Sequence, residues 1–128
     1  MGQEETNPQD DQQPFDICER TFQLALRMVR FCLELERTPG VPWVLSKQLL
    51  RSSTSIGANV EEGQAAQSRA DFVSKYSIAR KEARETNYWL RLIKATGIRD
   101  HDEIPLLLSE TEQITRILTA IIMNAQGS

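Results

Sequence analysis

From Phe72 to Gly97 the chain repeats small or apolar residues at intervals of 4, 3, 4, 3, 4, 3 and 4: Phe72, Tyr76, Ala79, Ala83, Thr86, Leu90, Ile93 and Gly97. A helix turns once in about 3.6 residues, so this spacing gathers all eight on one side, whereas a strand would scatter them over both faces. The stretch is therefore a helix of about seven turns with one buried seam. Ser68, with Asp71 three residues later, gives it a capped start, and Gly97 gives it a left-handed stop. A helix with a single apolar seam needs neighbours to bury it.

Three further helices supply them. Asp16 followed by Glu19 forms a capping pattern, and Ile17, Thr21, Leu24, Met28, Phe31 and Leu35 run on at spacings of 4, 3, 4, 3 and 4 until Thr38-Pro39-Gly40. Beside this seam lies a second one, Cys18, Phe22, Ala25, Val29 and Cys32. The apolar face is thus wider than a two-stranded coiled coil requires and predicts burial in a bundle. Pro42 suits a first helical turn, and Leu45, Leu49, Ser52, Ile56 and Asn59 or Val60 continue to an expected stop at Gly63. Intrinsic propensity alone makes a loop of Ser52 to Asn59, but the periodic flanks and the small residues favour a helix held by tertiary contacts. The last helix begins near Asp100 to Asp102, admits Pro105 in its first turn, and carries Leu107, Thr111, Ile114, Leu118, Ile121 and Ala125.

The expected helices are 16–37, 42–62, 69–96 and 102–125, joined by short links that make successive helices antiparallel neighbours. The fold class is all-α: an antiparallel up-down-up-down four-helix bundle, forming a single domain over residues 14–128. Its length of 128 residues fits one core. No Gly-rich nucleotide loop or run of β-alternation interrupts the pattern.

Residues 1–16 carry Glu4, Glu5, Asp10, Asp11 and Asp16 without a Lys or Arg, so the net charge of −3 hides a slightly basic body behind an acidic tail. Residues 1–13 are too polar to offset the entropy of ordering and are expected to be disordered. No apolar run nears the ~18 residues of a membrane helix, and no basic-then-apolar leader opens the chain. A cytoplasmic location without a membrane partner is the expectation. Cys18 and Cys32 fall on the same helix about 21 Å apart, too far to bridge. Both are expected to be buried thiols. With His101 as the one histidine, metal, Glu-x-x-His and Cys-His constellations lack members, so no metal and no cofactor are expected. Ser52 and Ser55 have no histidine nearby to act as base, so an enzyme is the weakest reading.

The segment Arg51 to Gly63 sets polar side chains at the edge of the core. Arg51, Ser55, Ala58 and Glu62 share one helix face, and Ser52, Ile56, Asn59 and Gly63 share the adjoining one. Polar groups near a core are costly unless paired, so Arg51 and Asn59 are expected to bond to another helix or another subunit. Glu82 and Glu85 are candidate partners for Arg51. They lie with Ile78, Trp89 and Leu92 on a second seam of the third helix.

Arg51-Ser52, Ser55-Ile56, Asn59, Glu62-Gly63, Phe72, Glu82-Ala83-Arg84-Glu85 and Tyr88-Trp89-Leu90 together resemble the small four helix bundle proteins encoded in intervening sequences of bacterial 23S rRNA genes. The resemblance spans residues 16–125. It implies a homo-oligomer, a homopentamer by the habit of the family. The pattern is also similar to the accessory variability protein of diversity-generating retroelements, a basic pentameric bundle that binds nucleic acid.

Two functional readings follow. In the first, the chain is a non-enzymatic assembly scaffold whose partners are its own copies and another protein, and Arg51, Ser52, Ser55, Asn59, Glu62, Gly63, Glu82 and Glu85 specify the contact. In the second, Arg80, Arg84, Arg91 and Lys94, with Asn87 between them, form a basic stripe on helix three that binds RNA or DNA through phosphate contacts. Residues 47–99 hold ten basic against five acidic side chains. The plain alternative is a solvated helix face partly neutralised by Glu82 and Glu85. Trp43, Trp89, Tyr76 and Tyr88 are expected to be core or interface anchors.

Overall fold

The computed structural model describes residues 16–127, so the acidic segment 1–13 lies outside the described residues. Four helices follow in chain order: α1 Ile17–Leu35, α2 Val41–Gln64, α3 Arg69–Thr96 and α4 Glu103–Gly127. They form the antiparallel up-down-up-down bundle. Cross-helix contacts fix the register: Thr86 on α3 meets Ser52 on α2, and Arg80 on α3 meets Thr119 on α4.

Local chemistry explains the ends. Asp16 accepts the Glu19 amide at 3.1 Å, and Ser68 accepts the Asp71 amide at 3.0 Å, each satisfying a first-turn donor. Glu19 does not complete a capping box, because its carboxylate takes the Gln23 amide at 2.8 Å instead. Gly97 closes α3 with φ +70°, and Gly40 precedes α2 with φ +90°, positions where a side chain would be strained.

Six bounds differ from the sequence expectation, the first because α1 starts at Ile17, one residue after its Asp16 cap. Helix α1 stops at Leu35 rather than 37, because Arg37 and Thr38 bond three residues back, to Glu34 and Leu35, and tighten the end. Helix α2 begins one residue early and runs through Gly63 to Gln64. Helix α4 begins at Glu103 because His101 Nδ1 accepts the Glu103 amide at 2.9 Å, a cap made by the histidine and not by an aspartate; it then runs past 125 to Gly127. Gly63 is no stop. A Cβ there would lie 2.6 Å from two carbons of the Tyr76 ring, so the glycine lets that ring pass against the α2 backbone.

The core follows the seams closely. All six α1 positions are buried, as are Leu49, Ser52, Ile56 and Val60 of α2 and Tyr76 to Ile93 along the α3 seam. On α4 the seam ends on Ile122, not on Ile121 and Ala125. Six positions at a strict 3.5-residue interval drift around a straight helix of 3.6 residues per turn, and Ile122 stands five turns after the buried Ile104.

Among neighbouring helices of the bundle, α1 and α4 touch least. Polar bonds close that side. Arg20 grips Glu110 with two bonds of 2.7 and 3.0 Å, Arg27 reaches Glu103 at 2.9 Å, and Arg99 pairs with Glu34. No apolar periodicity announces these pairs, since each joins α1 to α4 or, for Arg99, to the link before it, far along the chain.

Candidate functional site

The polar stripe of α2 lies against α3. Arg51 contacts Glu82 at 3.5 Å, pairs with Glu85, and also reaches Gln48 at 3.2 Å. Glu85 in turn accepts from the Trp89 indole at 3.0 Å. Below this cluster Thr86 donates to Ser52 at 2.9 Å in a fully buried contact. Asn59 departs from expectation. Its amide donates to the Ser55 carbonyl and hydroxyl at 2.9 and 3.0 Å, one turn back on its own helix and not to the neighbouring helix. Glu62 is exposed, and Gly63 is buried under Tyr76.

These bonds lie within one chain and tie α2 to α3. Arg51 is half exposed, but its partner Glu82 is nearly buried. Arg51→Ala is therefore expected to cost about 1 kcal/mol in chemical denaturation, more than a typical surface pair, because the Glu82 carboxylate keeps its burial and loses its cation. Its mass in light scattering is expected to equal that of the unmodified chain.

The thiols are poor nucleophiles. Burial, with Glu36 adding a smaller push, raises Cys32 to about 12. Cys18 is half-buried, not buried as expected, because it stands beside the bundle edge; burial first and then Asp16 and Glu61 still raise its pKa. Among the described residues, no three His, Cys, Asp or Glu side chains come together as a metal site.

The second constellation is a groove between α3 and α4 of about 400 Å³, lined by Arg84, Asn87, Arg91, Glu112, Thr115 and Arg116. Its floor is built. The Asn87 amide donates to Thr111 Oγ1 at 2.8 Å, its carbonyl accepts from Arg91 Nε at 3.0 Å, and about two turns away Arg80 donates to Thr119 at 3.4 Å. Among the described residues, Arg80, Arg84, Arg91, Lys94 and Arg116 are in no ion pair. Lys94 is exposed and does not line the groove. Sequence reasoning missed Arg116, which sits 25 residues beyond Arg91. Its signal was the outward face of α4, where Glu112, Thr115, Arg116 and Thr119 recur at helical spacing.

The third feature is apolar. The second seam of α1 is partly uncovered: Phe22 is 50% exposed and Val29 is exposed, with Leu33 beyond them on the same side, whereas Cys18 and Ala25 are half-buried and Cys32 is buried. Trp43, Val44 and Leu50 are exposed on α2, with the Lys47 ammonium 4.3 Å from the Trp43 ring. Phe22 and Ala25 share a shallow hollow of about 300 Å³ with Thr54, Gly57, Ala58 and Glu61.

The helix order, the seams and the α2–α3 polar clasp define the class: a small antiparallel four-helix bundle. The chain belongs to the 23S rRNA-intervening sequence protein family, whose family model matches residues 13–120. Among solved structures it is similar to a protein of unknown function from the S23 ribosomal protein family of Bacteroides thetaiotaomicron, at 39% identity and a TM-score of 0.76, covering 83% of this chain and 97% of that one. No curated protein matches.

Proposed function

We propose that the chain is a non-enzymatic, cytoplasmic subunit of a homo-oligomer, a ring of five by the habit of its family, that serves as an assembly or protein-interaction scaffold. The observation that carries this reading is the uncovered apolar strip of α1 and α2. Single exposed apolar residues are ordinary on a monomer, but a strip from Phe22 to Leu33, about 16 Å long, together with exposed Trp43 and Leu50 on the adjacent helix α2, has the make-up of an interface heart. Within the chain, the bonds of Arg51 and Ser52 in the polar stripe tie α2 to α3. A catalytic reading gains no support from Ser52, which is sealed from solvent and spends its hydroxyl on Thr86 and the Leu49 carbonyl.

Sedimentation of the purified chain tests this. A mass several times 14.6 kDa is expected. Phe22→Asp combined with Leu50→Asp should reduce it to a single chain with unchanged helix content, since both side chains already face water in the lone subunit. An unmodified chain that sediments as a monomer would overturn the reading.

A second reading, nucleic-acid binding, is favoured by the α3–α4 groove. Arg84, Arg91 and Arg116 converge there from two helices without carboxylate partners, the arrangement that phosphates neutralise with release of counterions.

A further inference from the structure

We propose that the α3–α4 groove takes single-stranded nucleic acid, with Arg80, Arg84, Arg91 and Arg116 against the sugar-phosphate backbone and the Tyr88 ring as the platform for an unpaired base. This rests on the nucleic-acid reading and specifies its ligand and its site. The cations are prepositioned. Asn87, anchored to Thr111 on α4, fixes Arg91 by its Nε and leaves both terminal nitrogens of that guanidinium for an acceptor. Thr119 likewise steadies Arg80 by one nitrogen. Guanidinium forks held this way lose little freedom on meeting phosphate oxygens.

The second, independent observation is aromatic. Tyr88 is 49% exposed, yet its ring is not loose: Trp89 stands edge-on at 5.2 Å, and the Arg91 guanidinium lies 5.7 Å from its centroid. Trp89 is itself tethered through Glu85. Tyr88, Arg91, Leu92 and Ala95 line a shallow shelf of about 200 Å³ that shares Arg91 with the arginine groove. A fixed, half-exposed ring next to a row of guanidinium groups suits a base laid flat on the ring while its phosphates run along the arginines. In a duplex the bases are stacked inside and a ring on a helix flank cannot reach their faces, so the ring favours a single strand. Glu112 is the opposing charge in the groove and weakens phosphate binding.

Fluorescence anisotropy on the full chain tests the proposal, using a labelled mixed-sequence RNA of about 16 nucleotides, the same sequence as DNA, and both as duplexes, at about 50 and about 200 mM salt. Single strands are expected to bind about tenfold or more tightly than duplexes. Tyr88→Ala should remove that preference, and Tyr88→Phe should keep it. Arg84→Gln with Arg116→Gln should weaken both ligand types about tenfold and flatten the salt dependence, while Glu112→Gln should tighten both. All four side chains are exposed, and thermal melts of each variant check that the bundle is intact. Equal or better binding of duplex, or an unaffected single-strand preference in Tyr88→Ala, would overturn this inference and leave the nucleic-acid reading standing. Absence of binding to every ligand at the lower salt would overturn both.

Discussion

Gly63→Val is expected to lower the stability of the bundle by about 3 kcal/mol, the upper end of what overpacking a filled core costs. A helical glycine ordinarily invites replacement, because other residues lose less backbone entropy there. The surroundings of Gly63 reverse that expectation. Its missing Cβ would sit 2.6 Å from two ring carbons of Tyr76, a side chain that is fully buried, stacked on Phe72 at 4.2 Å and hydrogen-bonded through its hydroxyl to Gln64. The ring has no free direction in which to retreat. The few tenths of a kcal/mol that valine gains in propensity over glycine are too small to compensate. Urea denaturation measures the loss, and a double-mutant cycle assigns its cause. In a Tyr76→Ala background, itself costly by about 3–5 kcal/mol, the valine should cost less than about 1 kcal/mol. An equal penalty in both backgrounds would show that the ring is not what the glycine accommodates.

Gly63 also marks the limit of sequence reading. Periodicity sees a helix end in a glycine that follows a small, polar run, since the left-handed stop is the usual use of glycine there. Only the position of Tyr76, thirteen residues later and on another helix, shows that the glycine serves packing inside a continuing helix. Other features were legible for good reason. The seams of α1 and α3 repeat an interval that only a helix satisfies, and the caps at Asp16 and Ser68 are local chemistry confined to four residues. The pairing of Arg51 with Glu82 and Glu85 was open to inference because charge and helix face restrict the choice to few partners. The α4 seam was misplaced at its end by a fraction of a residue per heptad, which accumulates over five turns. Arg116 and the α1–α4 ion pairs depend on how two helices far apart in sequence are rotated toward each other. A pattern along one helix does not contain that rotation.

The exposed strip from Phe22 to Leu33 on α1 has the same origin, and it yields the other large expected effect. Leu90 and Phe22 both stand on helical seams, yet Leu90 is fully buried between its neighbours and Phe22 is half exposed. Leu90→Ala should cost about 2–5 kcal/mol, the lost transfer energy plus the cavity left in a packed core, at any protein concentration. Phe22→Ala removes a larger side chain, but in a lone subunit half of it already faces water, so its cost should stay near 1 kcal/mol. A covered strip changes the second number and leaves the first alone. If a second copy lies on Phe22, association stabilises the folded state by mass action, and the deficit of Phe22→Ala grows as protein concentration rises. Melting curves of both variants across a hundredfold dilution series separate the two cases. A Phe22→Ala deficit that stays small and constant while the unmodified chain remains assembled would place the subunit contact elsewhere on the bundle; a deficit that climbs toward the Leu90→Ala value at high concentration would locate it on the α1–α2 strip.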